Sequence, residues 1–334
     1  MDSSKELKSL VNLSYEDFVK KLQSLSDDPK ILAAIKAGRK DGLKDDEKIQ
    51  FEELDNVDVK KLKPTQKEID LESSVFFPLS GETGDENLGK MLTGQNCMAN
   101  GVPVITLNGE YIIDGHHRWS QIYCMNKNAK IKCLNMITNK KVDPTDILKA
   151  VQLAIVTVTK DIPSEKSSGL NIYYVKEDFT KNYLITGEGA ERKKSFKGID
   201  MNVLSFFKKI INDIDSKKDL ANYIWNNILS LRKTSSPISS ATSRDYMPQP
   251  DGTNDLPKDV RDKLQDSWKD DLLSGKINFL APFKSVTEMK VKNFNDFINE
   301  NYSKVYTYKD IIDYIKMISD TPPKTEKKPT PIEN

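Results

Sequence analysis

The sequence predicts an α+β protein, a small mixed sheet with its own helices, flanked by mainly helical N- and C-terminal regions. Three observations carry this expectation. Apolar residues recur at spacings of three and four along much of the chain. In short runs between about residues 55 and 137 they alternate with polar residues instead, and an Asn-Gly pair joins two of those runs.

Residues 1–54 read as a helical N-terminal region. LKSLVNL and YEDFVKKLQSL space their apolar residues by three and four, and DDPKILAAIKAG repeats the pattern before a glycine. In DNVDVKKLKPTQ the period changes: Val57 and Val59 alternate with acids and Pro64 closes the run, so a short strand and a turn are expected. ENLGKMLTG reads as a short helix ending at Gly94. GVPVITLNG and EYIIDG are two strands joined by the hairpin dipeptide Asn108-Gly109. HHRWSQIYCMN is helical by spacing, with Trp119, Ile122 and Tyr123 on one face, and KIKCLNMI alternates as a strand. These elements outline a domain over residues 55–140.

Residues 141–320 are expected to be mainly helical. Asp143-Pro144 opens a helix with an aspartate cap and a proline in the first turn, running through DILKAVQLAIVTVTK. SGLNIYYVKEDFTKNYLITG holds a strand or a helix pair, and VLSFFKKIINDI and DLANYIWNNILSLRK are amphipathic helices. SSPISSATSRDYMPQPDGTNDLP is rich in Ser, Pro and Gly and reads as a long irregular loop over 234–256. Further helices are expected over about 257–318, and a disordered tail over 321–334.

Composition narrows the function classes. Of 334 residues, 30% are charged and 37% hydrophobic, and the net charge is +1, so the chain is not a polycation and bulk attraction to nucleic acid is not indicated. A local basic groove stays open. No apolar run approaches the roughly 20 residues that span a bilayer, so no membrane partner is expected. The first residues carry acids and lysines among their apolar positions, unlike a signal peptide. Cys97, Cys124 and Cys133 share no metal-ligand spacing, so no metal centre held by protein ligands alone is expected. Their sparsity suits a reducing cytoplasm.

Both histidines of the chain sit side by side in IIDGHHRW. A hydrophobic strand, an Asp-Gly turn and an immediate helix start form a junction at which the first helical N–H groups point outward and the peptide dipoles add positive charge. Asp114 is placed to cap the helix, Gly115 lets a ligand approach the backbone, and His116, His117 and Arg118 add donors in the first turn. Such a junction is an anion site, and phosphate is its natural anion. Downstream, TSRDYMPQPDG places Arg244 and Tyr246 in a loop that could fold over a nucleotide, the arginine meeting phosphate and the tyrosine stacking on the base. A plain linker is the alternative for that stretch.

IIDGHHRW resembles the phosphate-binding motif of the ParB/sulfiredoxin superfamily, in the D-G-H-H-R form of ParB-like nuclease domains and free-serine kinases. VDVKKLKPTQ is similar to the opening strand and turn of these domains, GVPVITLNGEYIIDG to the hairpin before the motif, and KIKCLNMI to the closing strand. The resemblance covers about residues 55–138. It implies that Gly115, His116, His117 and Arg118 bind nucleotide phosphates, with Asp114 orienting the turn or a metal. It also implies an acidic base for a substrate hydroxyl near the first strand's turn, where Glu68 stands, with Thr65 and Gln66 lining the same cleft. His116 stands where sulfiredoxins carry their reactive cysteine, which argues against sulfinic-acid reduction.

The expected function is therefore that of a phosphotransferase or nucleotide hydrolase taking ATP or ADP, or another nucleotide, with Mg²⁺. His117 and Arg118 would neutralise charge on the transferring group, and Glu68 would act as base. Two alternatives stand beside it. One is a ParB-like nuclease holding a DNA or RNA phosphodiester at the same site. The other is a non-catalytic bacteriophage scaffold or virion-associated protein, with phage or self-assembly partners. The host cytoplasm or the virion is the expected location in the phage case.

Overall fold

The structure is a computed structural model and describes residues 13–27, 50–101, 103–137, 143–159, 169–189 and 196–247. Among these, eight helices and one five-stranded mixed sheet make the expected α+β fold. The helices expected before Tyr15, in DDPKILAAIKAG and beyond residue 257, the tail, and the end of the 234–256 loop lie outside the described residues.

α1 (Tyr15–Asp27) starts where Ser14 Oγ accepts the Asp17 N–H at 3.1 Å and buries Phe18 and Leu22 on one face. β1 (Gln50–Asp58) then pairs antiparallel with β5 (Lys130–Ile137). Residues 50–54, expected to be helical, are strand. Pairing Phe51 with Met136 and Leu54 with Cys133 outweighs the local helical spacing, as tertiary context often does for short segments. The register shifts between Leu54 and Val57, around Asn56 at a positive φ of 57°.

β2 (Lys63–Pro64) lies parallel to β4 (Tyr111–Asp114), which forms a hairpin with β3 (Val104–Leu107), and β3 runs parallel to β5. The sheet order is β1-β5-β3-β4-β2. The hairpin turns through Asn108 and Gly109, both at positive φ, as the dipeptide requires. α2 (Leu71–Ser80), which the sequence pattern does not reveal, is capped by Asp70 and carries Pro78 inside it. It is buried nearly all round, so it shows no apolar stripe, the signal on which helix recognition depends. α3 (Asp85–Thr93) ends on a left-handed Gly94, as expected.

α4 (His116–Met125) is the centre of the core. α2 lies along it, with Ser74 Oγ 2.8 Å from Ser120 Oγ and the Gln121 amide donating to Ser73 O at 2.9 Å. Trp119, fully buried, donates its indole N–H to Val59 O at 2.9 Å. α5 (Pro144–Thr159) opens on the expected aspartate, with Asp143 accepting the Thr145 N–H at 2.8 Å. α6 (Glu177–Thr186), α7 (Met201–Ile210) and α8 (Lys217–Thr234) follow. α8 grips α4: Tyr123 Oη lies 2.6 Å from Thr234 Oγ1, and Asn227 donates to Cys124 O at 2.8 Å. One buried cluster therefore runs from Val59 through Trp119 to Leu231. No helix of the described residues is long and apolar enough to cross a membrane.

Candidate functional site

β4 ends at Asp114, Gly115 turns the chain at φ +94°, and α4 begins at His116. The first intrahelical bond runs from Trp119 N–H to Gly115 O at 2.9 Å, so the amides before it face the mouth of the helix. The strand–turn–helix junction is as expected. The roles of Asp114 and His116 are not.

Asp114 does not cap α4. The capping position is Gly115, with no side-chain bond, and Asp114 instead accepts from Arg118 Nη2 at 2.9 Å. The guanidinium turns back across the turn and also reaches Pro103 O at 3.4 Å. The positive φ of residue 115 favours glycine on its own. A Cβ there would also meet Arg118 Nη2 at 2.8 Å, so any other residue would push the guanidinium off its present place.

His116, expected to donate to a phosphate, is turned inward and only 4% exposed. Its Nε2 accepts the Thr65 N–H at 3.2 Å, and Thr65 Oγ1, 3.3 Å away, donates onward to Ile112 O at 2.6 Å. The proton therefore sits on Nδ1. Burial pushes the imidazole down to about 4, with Asp114 opposing and Arg118 adding to the shift. At neutral pH this ring is an uncharged acceptor that ties the β2 turn to the helix start. His117 is the half-buried member of the pair, at the mouth of α4.

The segment after α8 returns to this corner. Thr242 lies parallel to Gln66, its N–H donating to Thr65 O at 3.0 Å and its carbonyl accepting from Lys67 N–H at 2.9 Å. Two residues on, Arg244 N–H donates to Glu68 Oε2 at 2.7 Å. Glu68 and Arg244, separate candidates in the sequence, thus meet directly, and the chain after α8 is strapped to the segment that follows the edge strand β2. The Arg244 guanidinium lies 3.9 Å from Asp70 Oδ2, a fully buried carboxylate that also accepts the Ser73 N–H at 3.1 Å. Sequence reasoning misses Asp70 at this corner, although an aspartate just ahead of an apolar residue and a first-turn acid, Leu71 and Glu72, is a helix-start signal. Tyr246 stacks on Tyr15 of α1, the ring centroids 6.4 Å apart and the planes 17° from parallel.

The described residues hold no group of three His, Cys, Asp or Glu able to bind a metal ion. All three cysteines are buried and free. Burial pushes their thiols up, Cys97 to about 11, Cys133 to about 12 and Cys124 further still, so none is a nucleophile at neutral pH. A groove of about 330 Å³ lies elsewhere, between the end of α2 and the starts of α3 and α7, lined by Pro78, Gly84, Asp85, Asp200, Asn202 and Lys209 among others. It shares no residue with the 114–118 turn.

In comparisons with protein families, curated proteins and solved structures, the chain has no match.

Proposed function

We propose that the chain binds the phosphates of a nucleotide, or of a phosphorylated small molecule, at the Asp114–Arg118 turn and transfers or hydrolyses a phosphoryl group there. The observation that carries this reading is the bond of the Glu68 carboxylate to the backbone N–H of Arg244 at 2.7 Å, three residues from the Thr65–His116 bond. A carboxylate and a helix mouth with its own arginine are thereby gathered at one corner, while the Arg244 guanidinium is turned to Asp70. Arg118 Nε, buried against the Gly115 turn, has no hydrogen-bond partner among the described residues, an unmet donor that a phosphate oxygen reaching the turn would satisfy.

In transfer to a hydroxyl, the Glu68 carboxylate takes the hydroxyl proton as its oxygen bonds to the terminal phosphorus. The bond to the bridging oxygen breaks, and the rest of the nucleotide, a diphosphate from ATP or a monophosphate from ADP, leaves with that electron pair. In hydrolysis, water replaces the hydroxyl. Arg118 and His117, in the first turn of α4, would offset charge on the transferring group. ATP or ADP with Mg²⁺ fits these residues, because Mg²⁺ is commonly held by phosphates, water and one or two carboxylates, and Asp114 is the carboxylate at the mouth. When bound, the ion would neutralise phosphate charge.

A second, non-catalytic reading is favoured by the inward His116 and by the Asp114–Arg118 pair lying over the turn. Here the motif is an internal lock, and the fold serves as a scaffold or virion-associated module. Calorimetry of the intact protein with ATP, ADP and CTP plus Mg²⁺ separates the two. Measurable nucleotide binding is expected. Absence of heat with all three, together with large assemblies in gel filtration, leaves the scaffold.

A further inference from the structure

Gln152, on α5, is fully buried, yet neither its Oε1 nor its Nε2 has a hydrogen-bond partner among the described residues. A carboxamide shut away from water with both ends unmet is costly, and in a native protein such a group calls for a ligand or an ordered water. The same holds for the buried hydroxyl of Tyr15 on α1. These two groups belong to neighbouring elements. α5 packs on α1 and on β4, the strand that ends at Asp114. Lys149, one turn before Gln152, reaches the Leu13 carbonyl at 2.8 Å and so fixes α5 against the start of α1. Tyr15 in turn stacks on Tyr246, two residues after Arg244.

We infer that Gln152, Tyr15 and Tyr246 form a subsite for a nucleoside base, adjoining the phosphate site at the 114–118 turn. The inference rests on the phosphate reading above. A base is planar and carries donors and acceptors along its edge. The Gln152 carboxamide offers one acceptor and two donors, the Tyr15 hydroxyl one of each, and the two phenol rings give aromatic faces. All three residues lie outside the 55–138 stretch that carries the resemblance.

The test uses the full chain with the four common ribonucleoside triphosphates and with inorganic tripolyphosphate, each with Mg²⁺, in the wild type, Gln152→Met and Tyr15→Phe. The wild type is expected to bind one triphosphate at least about tenfold more tightly than tripolyphosphate, the worth of one or two good hydrogen bonds. Gln152→Met removes the unmet carboxamide at similar volume, so it should melt no lower than the wild type, keep its tripolyphosphate affinity, and lose about tenfold for the preferred nucleotide. Tyr15→Phe, a milder change, should do the same to a lesser degree. Equal binding of nucleotide and tripolyphosphate, or an unchanged preference in both variants, overturns the base subsite and leaves the phosphate site standing. A melting temperature that falls in Gln152→Met shows the carboxamide serving the fold and also overturns it. If tripolyphosphate and nucleotides alike fail to bind the wild type, the phosphate reading itself has failed.

Discussion

The backbone N–H of Thr65 donates to Nε2 of His116 at 3.2 Å, so the first histidine of the pair is an acceptor inside the protein. The folded imidazole ionises near 4, whereas the ordinary value is 6.5. As pH falls, the unfolded chain therefore takes up the extra proton first. The contribution of His116 is complete above about pH 6.5 and is lost as pH falls toward 4, by roughly 2–4 kcal/mol over that window. Denaturant titrations along this range should show a steeper loss in the wild type than in His116→Gln. Parallel curves for the two proteins would rule the buried neutral ring out.

Asp114 competes with any anion for Arg118. Asp114→Asn should raise tripolyphosphate affinity several-fold, because the guanidinium loses a charged acceptor at 2.9 Å. Arg118→Ala should lower it by about 10- to 100-fold, the range for a hydrogen bond to a charged group. Calorimetry at constant ionic strength reads both. Opposite signs are the signature; a loss in both variants would mean that the pair acts only as a structural clasp.

Glu68→Gln keeps an acceptor for the Arg244 N–H but cannot take a proton. Turnover of a hydroxyl acceptor should fall by about 10²–10⁴-fold while nucleotide affinity stays within a few-fold. Single-turnover transfer from labelled ATP checks this. Activity close to that of the wild type would remove Glu68 from the chemistry.

The site helix is held from behind by packing. Trp119→Ala should destabilise the protein by about 3–5 kcal/mol, because it empties a fully buried indole site and orphans Val59 O. Tyr123→Phe removes only the hydroxyl links to Ser230 and Thr234 and should cost about 1 kcal/mol. Urea midpoints would show whether the order holds.

Local rules make much of the small domain legible. Asn108-Gly109 marks a hairpin turn, Gly94 ends α3, and Asp143-Pro144 begins α5, because each depends on a backbone preference carried by one or two residues. α2 stays hidden because burial on all sides erases the amphipathic stripe. The start of β1 is masked because its partner β5 lies about eighty residues away in sequence. At the site, the strand–turn–helix junction is readable, and so is the candidacy of Glu68 and Arg244. Their contact is not, since it spans 176 positions.

What the sequence by itself determined is the kind of junction at 114–118 and the residue types gathered there, because turn and helix-start preferences act over a few neighbouring residues. What only the tertiary structure decided is which side chains face which way. His116 points inward because Thr65 supplies a donor from another strand's end, and Arg118 bends over Gly115 because Asp114 and Pro103 O supply acceptors. Such partners settle whether a polar side chain is offered to a ligand or used by the fold, and spacing along the chain carries no record of them.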